Sequence, residues 1–196
     1  MTQKLKEIAK IRAGHAFRKK LAHDPEQKLQ VIQMKDLTHD GTINWNTMIK
    51  SAPAASNTDW VRKDDLLLVS RGANNFVYFI NEEPPLSSLA APYFFHITLL
   101  PSYREKVLPE FLAWQLNQKP IQDYFQMNAE GSTSKAIRRE IVENTQLVIP
   151  SKEKQKAISS LYNVVSRQKR LYEKLLDNNQ ILMNKLAKDL LKEATL

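Results

Sequence analysis

The segment from residue 151 to residue 196 most constrains the fold of this chain. It contains neither glycine nor proline, and the helix-forming residues Lys, Leu, Glu, Gln and Ala dominate it. Pro150 and Ser151 mark its start, because proline cannot continue a preceding strand and a serine hydroxyl can cap a first helical turn. A helix of about 40 residues is about 60 Å long at 1.5 Å per residue. The sequence therefore predicts one C-terminal helix that is longer than a small domain is wide.

The predicted helix carries an apolar stripe with heptad-like spacing. Ala157, Val164 and Leu171 fall seven residues apart, and polar residues that interrupt such a stripe are typical of coiled coils, where they fix register and partner choice. We therefore predict that the stripe packs against a partner helix, and an amphipathic helix folded back on its own domain is the alternative. The predicted interface comprises Ile158, Leu161, Val165, Gln168, Tyr172, Leu175, Asn179, Leu182 and Leu186.

The chain is strongly basic. Its 29 Lys and Arg residues exceed its 21 Asp and Glu residues, which gives a net charge of +8 and a pI of about 9.6. Such an excess favours a polyanionic partner, because neutralised phosphates release their counterions. A basic surface that only maintains solubility is the alternative. The segment 151–196 holds 10 of the cations and 5 of the acids.

The absence of cysteine bears on compartment and chemistry. It excludes disulfides, thiolate metal sites and cysteine nucleophiles, and it is typical of a reducing cytosol. The first residues lack the apolar core of a signal peptide, and no stretch approaches the roughly 18 apolar residues of a membrane span. We expect a cytoplasmic protein without membrane association.

Residues 1–150 combine strand and helix patterns. The segment from Leu5 to Gly14 has an amphipathic spacing that predicts a short helix or turn, and helical periodicity follows Pro109. The predicted strands are 29–34, 66–69, 76–80, 94–100 and 146–149, and a short helix is predicted over 136–144. The predicted fold class is α+β, with a mixed-sheet domain over 1–150 and one long, coiled-coil-like C-terminal helix over 151–196.

Motifs for catalysis are not found. The four histidines have no metal-ligand spacing, and neither Gly-x-Gly-x-x-Gly nor a Walker A sequence occurs. His96 lies in an apolar strand, which favours a core histidine. The run Lys63-Asp64-Asp65 lacks the Glu-x-Lys that would complete a nuclease site. We therefore expect no catalytic residue, no metal and no cofactor.

Three glycine-marked loops suit nucleic acid. Arginine matches the guanine edge and asparagine the adenine edge, while hydroxyls and cations bind phosphate; for any single loop, an ordinary polar turn is the alternative. The first loop follows Gly14 and offers phosphate contacts at Arg18, Lys19 and Lys20. The second loop surrounds Gly72 and offers base contacts at Arg71, Asn74 and Asn75. The third loop begins at Gly131 and offers phosphate contacts at Ser132, Thr133, Lys135, Arg138 and Arg139.

The order of several motifs resembles the specificity (S) subunit of type I restriction–modification systems over essentially the whole chain. The motifs are Leu5-Lys6-Glu7-Ile8 leading to Gly14 and Phe17, Asp65-Leu66-Leu67-Leu68-Val69-Ser70-Arg71-Gly72, Leu108-Pro109-Glu110-Phe111-Leu112, Gly131-Ser132-Thr133, and Leu147-Val148-Ile149-Pro150 followed by Gln155 and Ile158. One departure is Lys154, because an acidic residue usually precedes the glutamine in this family.

This resemblance implies a non-catalytic target-recognition domain over 1–150 that reads half of a split site in double-stranded DNA. It also implies a spacer and dimerisation helix over 151–196 that binds methyltransferase (M) subunits, and a system that includes restriction (R) subunits. Most members carry two recognition domains and two helical regions, whereas this chain has one of each and resembles a half-subunit. Pairing with a copy of itself, or with a second specificity half, through the C-terminal helix would restore the two-domain arrangement.

Two other functions stay open from the residues alone. A stand-alone methyltransferase or nuclease with unrecognised motifs would also be basic and bind DNA. A helical protein–protein adaptor could use its positive charge only for protein contacts.

Overall fold

The structure is a computed structural model that describes residues 2–17, 21, 23–38, 41–51, 59–72, 74–132 and 134–193. Two compact units are present, Met1–Ser159 and Ser160–Leu196. The strands are β1 (Thr2–Lys4), β2 (Ala9–Ala13), β3 (Leu29–Ile32), β4 (Ile49–Ser51), β5 (Leu66–Val69), β6 (Val77–Phe79), β7 (Ser87–Ala90), β8 (Phe94–Leu99) and β9 (Gln146–Val148). The helices are α1 (Leu5–Ile8), α2 (Pro109–Leu116), α3 (Lys119–Met127), α4 (Arg139–Glu143) and α5 (Lys152–Glu193). The predicted α+β class with a long C-terminal helix is confirmed.

The strands of the first unit form three sheets. The largest has the order β2-β8-β5-β6 and is antiparallel throughout. A second sheet has the order β4-β3-β7, in which β3 pairs parallel to β7 and antiparallel to β4. The strands β1 and β9 pair antiparallel to each other. Among the described residues, the β4-β3-β7 sheet is therefore the mixed sheet of the predicted α+β fold.

Strand β5 separates two hydrophobic clusters. Leu66 and Leu68 belong to the cluster that includes α2 and α3, whereas Leu67 and Val69 belong to the cluster that includes β3 and β7. Successive side chains of a strand point to opposite faces of the sheet, so a run of four apolar residues fills both cores. This burial fixes the strand end that carries Arg71.

The prediction of a helix or turn from Leu5 to Gly14 needs correction. Only Leu5–Ile8 is helical, and Ala9–Ala13 forms strand β2, which pairs with β8. Leu5 and Ile8 have helical spacing, but the strand pairing with β8 determines the conformation after Ile8. A Cβ atom at Gly14 would lie 1.9 Å from the Ala91 carbonyl oxygen, so this position requires glycine. The sequence patterns also do not predict strands β1, β4 and β7.

Helix α5 is continuous over 42 residues from Lys152 to Glu193. Within the second unit, the side chains of the predicted stripe are exposed, including Leu161, Leu175 and Leu186. Ile158, in the first unit, is half-buried. No helix among the described residues is long and apolar enough to cross a membrane.

Candidate nucleic-acid interface

The second loop begins where β5 leaves the core. The Ser70 N–H donates a hydrogen bond to the Tyr93 carbonyl oxygen over 2.8 Å, which holds the strand end next to the turn before β8. The following side chain, Arg71, is exposed, and its Cζ atom lies 5.6 Å from the centroid of the Tyr93 ring. A guanidinium within about 6 Å of an aromatic face is attracted to it, so the Tyr93 ring stabilises the position of the Arg71 side chain.

The structure joins the second loop to the third loop. Arg71 and Ala136 form an isolated antiparallel bridge. The Gly72 N–H donates to the Lys135 carbonyl oxygen over 3.0 Å, and the Ile137 N–H donates to the Ser70 carbonyl oxygen over 2.9 Å. In addition, Arg71 Nε donates to Ser134 Oγ over 3.1 Å. We call the side chains of Arg71, Tyr93, Ser134 and Lys135 the Arg71 surface.

The third loop is closed by its own backbone. Glu130 and Ala136 exchange two hydrogen bonds, with N···O distances of 2.9 and 2.8 Å. Gly131 has a φ of +112°, and a Cβ atom there would lie 2.8 Å from the Ser134 carbonyl oxygen, so only glycine fits. Ser132 and Lys135 are exposed within this closed loop, and Thr133 lies outside the described residues.

The two asparagines of the second loop lie in different environments. Asn74 is exposed. Asn75 is only 3% exposed, and its Nδ2 donates to the Val69 carbonyl oxygen over 2.9 Å. Gln122 Nε2 also donates to the Asn75 carbonyl oxygen over 3.1 Å. In this structure Asn75 therefore holds the loop in shape rather than presenting its amide to a base.

The two arginines after the third loop are exposed but paired. Arg138 lies 2.6 Å from a Glu130 carboxylate oxygen, and Arg139 lies 2.6 Å from a Glu143 oxygen. Exposed ion pairs of this kind contribute little to stability, with a median of about 0–1 kcal/mol. A phosphate could therefore displace either carboxylate at small cost.

The cations of the first loop, Arg18, Lys19 and Lys20, lie outside the described residues. The start of this loop is anchored to the second sheet and to β8. The Gly14 N–H donates to the Phe94 carbonyl oxygen over 2.8 Å, and the His15 N–H donates to the Ala90 carbonyl oxygen over 2.7 Å. The described part of the loop ends with His15 and Phe17 in edge-to-face contact, with ring centroids 4.7 Å apart.

Two side chains near Arg71 were missing from the sequence prediction. Tyr93 is 48% exposed and Met34 is 43% exposed, and both are large apolar residues. A Cβ atom at Gly72 would lie 3.5 Å from the Met34 Cε atom, which places Met34 beside the second loop. The signal for Tyr93 was its position after Ala91-Pro92, at a turn that precedes a buried strand. Met34 gave no comparable signal.

A buried hydrogen-bond network joins strand β8 to Asp65, the residue before β5. His96 Nε2 and Asp65 Oδ2 are 2.7 Å apart, and both side chains are almost fully buried. Thr98 Oγ1 donates to the other Asp65 oxygen over 2.8 Å. The expectation of a core histidine at position 96 is confirmed.

Opposing effects act on the pKa of Asp65. Burial raises this pKa, but the hydrogen bond and charge of His96 lower it. Hydrogen bonds from Thr98 and the Arg62 N–H lower it further, so the pKa of Asp65 lies below its ordinary value. The carboxylate thus stays ionised where it holds β5 to β8.

Candidate metal ligands are dispersed. Among the described residues, no three His, Asp or Glu side chains lie close enough together to hold a metal ion. The exposed features around Arg71 are instead a guanidinium, hydroxyls, an ammonium group and an aromatic ring, which are the groups that proteins use to contact phosphates and base edges.

Comparisons with known proteins identify the family of the chain. The family model described as the type I restriction modification DNA specificity domain matches residues 1–181. No curated protein is significantly similar in sequence to the chain.

Three solved structures have the same fold. The type I restriction–modification S subunit from M. genitalium has a TM-score of 0.56 and 17% identity over 84% of this chain. The HsdS subunit from Thermoanaerobacter tengcongensis has a TM-score of 0.59 and 16% identity over 86% of this chain. A chain from a structure on complex assembly and conformational transition of the type I R-M system has a TM-score of 0.67 and 16% identity over 95% of this chain.

The matched region covers only part of each solved chain. This chain spans 38%, 37% and 43% of their respective lengths. At 16–17% identity the three solved structures show that the fold is the same. The family model, in contrast, matches most of the sequence and shows the family. The chain therefore belongs to the family of type I restriction modification DNA specificity domains.

Proposed function

We propose that this chain is a sequence-specific DNA-recognition subunit of a type I restriction–modification system, without catalytic activity of its own. The observation that carries the proposal is the Arg71 surface, where strand β5 and the third loop hold an exposed guanidinium against Tyr93 and Ser134. Family membership supports the same function. Residues 1–150 form the recognition domain, and residues 151–196 form the spacer and dimerisation helix.

Within the recognition domain, each loop has its own role. Arg71 contacts a base edge, because its guanidinium is exposed and held in one orientation before DNA arrives, and Asn74 is the second candidate for base contact. Asn75 supports the loop from inside. Phosphate contacts come from Ser132, Lys135, Arg138 and Arg139, and from Arg18, Lys19, Lys20 and Thr133, for which the sequence is the only support.

The helix supplies the protein contacts. Its exposed apolar stripe from Leu161 to Leu186 pairs with a second copy of the chain or with a second specificity half, and the helices bind methyltransferase and restriction subunits in the cytoplasm. A symmetric pair of recognition domains predicts a palindromic split target.

Selection of bound sequences from random duplex DNA tests the proposal. The chain is used alone and together with its methyltransferase subunit, and enrichment of a split motif is expected. A bound pool that stays random in both experiments would contradict sequence recognition. DNA methylation with S-adenosylmethionine, or DNA cleavage with Mg²⁺, by the purified chain would favour the enzyme alternative. Salt-insensitive, negligible DNA binding would favour the adaptor alternative.

A further inference from the structure

Six cations of the second unit repeat along helix α5. Arg167, Arg170 and Lys174 are followed 18 residues later by Lys185, Lys188 and Lys192. Eighteen residues complete five turns at 3.6 residues per turn, so the two triplets lie on the same face of the helix. Between Ser160 and Glu193 only one other cation occurs, Lys169.

These six residues, which we call the basic ridge, lie mostly opposite the apolar stripe, and Lys185, three positions after Leu182, lies nearer to its edge. Arg167, Arg170 and Lys174 each follow a stripe residue by two positions, as Lys188 also does. Two residues correspond to a rotation of about 200° around an α-helix. Pairing through the stripe therefore leaves the ridge accessible on the outside.

The positive charges of the ridge are not neutralised by ion pairs with other described residues. Five of its side chains are exposed and Arg170 is partly exposed, and none of the six forms an ion pair with another described residue. Lys169, off the ridge, does pair with Glu173 at 3.8 Å. Three acids lie three or four residues from a ridge cation, namely Glu173, Asp177 and Asp189. A surface kept only for solubility has both signs of charge interspersed, whereas this face has six cations and none of them is paired with these acids among the described residues.

We propose that the basic ridge binds the sugar–phosphate backbone of duplex DNA without reading sequence. This inference rests on the proposed DNA-recognition function. From Arg167 to Lys192 the ridge is about 38 Å long at 1.5 Å per residue. Duplex DNA carries one negative charge per about 1.7 Å, so about 11 base pairs match that length. The ridge adds phosphate contacts to the base contacts that the Arg71 surface makes.

The first experiment measures DNA affinity of the full chain as a function of salt concentration. The R167Q/R170Q/K174Q and K185Q/K188Q/K192Q variants are compared with a control, K28Q/K119Q/K169Q, which removes three exposed lysines elsewhere. Each lost phosphate contact lowers the slope of log K against log salt by about 0.9. We expect each ridge variant to lower the slope by two to three units on target and random DNA alike, and the control to lower it by less than one. Ridge variants that behave like the control would overturn the inference.

The second experiment needs no substitution. A limiting amount of an amine-acetylating reagent modifies the wild-type chain with and without duplex DNA, and mass spectrometry reads each lysine. We expect DNA to protect Lys174, Lys185 and Lys188 at least threefold more than Lys169. Equal protection of all four, or protection of the ridge only when the methyltransferase subunit is added without DNA, would overturn the inference in favour of a protein surface.

The two proposals can fail separately. If the wild-type chain selects a DNA motif but both ridge experiments give the contradicting result, only the ridge inference fails. If the wild-type chain does not bind duplex DNA at any salt concentration, the proposed function fails together with it.

Discussion

Arg71 Nε donates a hydrogen bond to Ser134 Oγ over 3.1 Å, although 63 positions separate the two residues in the sequence. Backbone hydrogen bonds between Gly72 and Lys135 and between Ile137 and Ser70 surround this contact. The guanidinium is thus oriented by the third loop before any ligand binds. An arginine held in this way loses less conformational freedom on binding than one at the end of a mobile loop.

The Ser134→Ala substitution tests the orientation of Arg71. We expect a three- to tenfold loss of discrimination between target and random DNA, because a hydrogen bond of this kind contributes about 0.5–1.5 kcal/mol. Ser132→Ala is the matched control from the same loop, and it should weaken target and random DNA alike. Competition binding with the two DNA types measures both effects. Equal effects of the two substitutions on discrimination would contradict the role of Ser134.

Gln155 allows a prediction about stability. It is fully buried; its Oε1 accepts from the Leu108 N–H over 2.9 Å, and its Nε2 donates to the carbonyl oxygens of Lys106 and Pro150. Gln155→Leu leaves these backbone groups unpaired, and each unsatisfied buried group costs about 1–3 kcal/mol. We expect the free energy of unfolding in urea to fall by about 3 kcal/mol or more.

The control for Gln155 is the same change at an exposed position of α5. Gln180 forms one surface hydrogen bond, with Asn184, so Gln180→Leu should change the unfolding free energy by less than about 0.5 kcal/mol. A similar effect of both variants would show that the buried hydrogen bonds of Gln155 do not stabilise the first unit.

The Asp65 carboxylate predicts a dependence of stability on pH. Its folded-state pKa is lowered, so its contribution is present above the unfolded pKa of about 3.9 and disappears as pH falls through the folded pKa. Asp65→Asn removes this titration, and we expect the stability of the variant to fall less steeply than that of wild type between about pH 4 and pH 2. Thr98→Val, which removes one hydrogen bond to Asp65, should give an intermediate slope. Chemical unfolding at several pH values measures the free energy of unfolding of the three proteins. Parallel stability–pH profiles would contradict the role of the Asp65 carboxylate.

The apolar stripe predicts self-association of the chain. Leu175 is 57% exposed and lies at the centre of the stripe, so Leu175→Glu should shift the chain from dimer to monomer at micromolar concentration. Ile181 is similarly exposed but lies on the opposite face, and Ile181→Glu should leave the dimer unchanged. Sedimentation velocity distinguishes the species. If wild type sediments as a monomer and neither substitution changes this, the chain does not self-associate through the stripe.

Local sequence patterns predict much of the fold. The uninterrupted apolar run Leu66–Val69 coincides with β5, and the absence of glycine and proline after Ser151 predicts the helix that runs from Lys152 to Glu193. In both segments the residues favour one conformation, and tertiary contacts reinforce it. Strand β2 differs, because Ala9–Ala13 becomes a strand only through its pairing with β8, and a pattern within the segment cannot reveal that pairing.

The candidate interface was less predictable for the same reason. The sequence identifies Arg71 and the third loop as separate polar turns, but their joining depends on the bridge from Arg71 to Ala136. From the sequence, Asn74 and Asn75 are also equally good candidates for contact with a base edge. Only the packing of the loop shows that Asn75 is turned inward to Val69 and that Tyr93 lies next to the arginine.

Base reading by Arg71 is the central claim, and selection from random duplex DNA tests it most directly. Wild type, Arg71→Ala and the control Lys119→Gln are each selected with the methyltransferase subunit, and the enriched sequences are compared position by position. We predict that Arg71→Ala loses preference at one base pair, equivalent to about 1–3 kcal/mol, while the other positions and the control keep the wild-type motif. An unchanged motif for Arg71→Ala, at unchanged affinity, would contradict the claim.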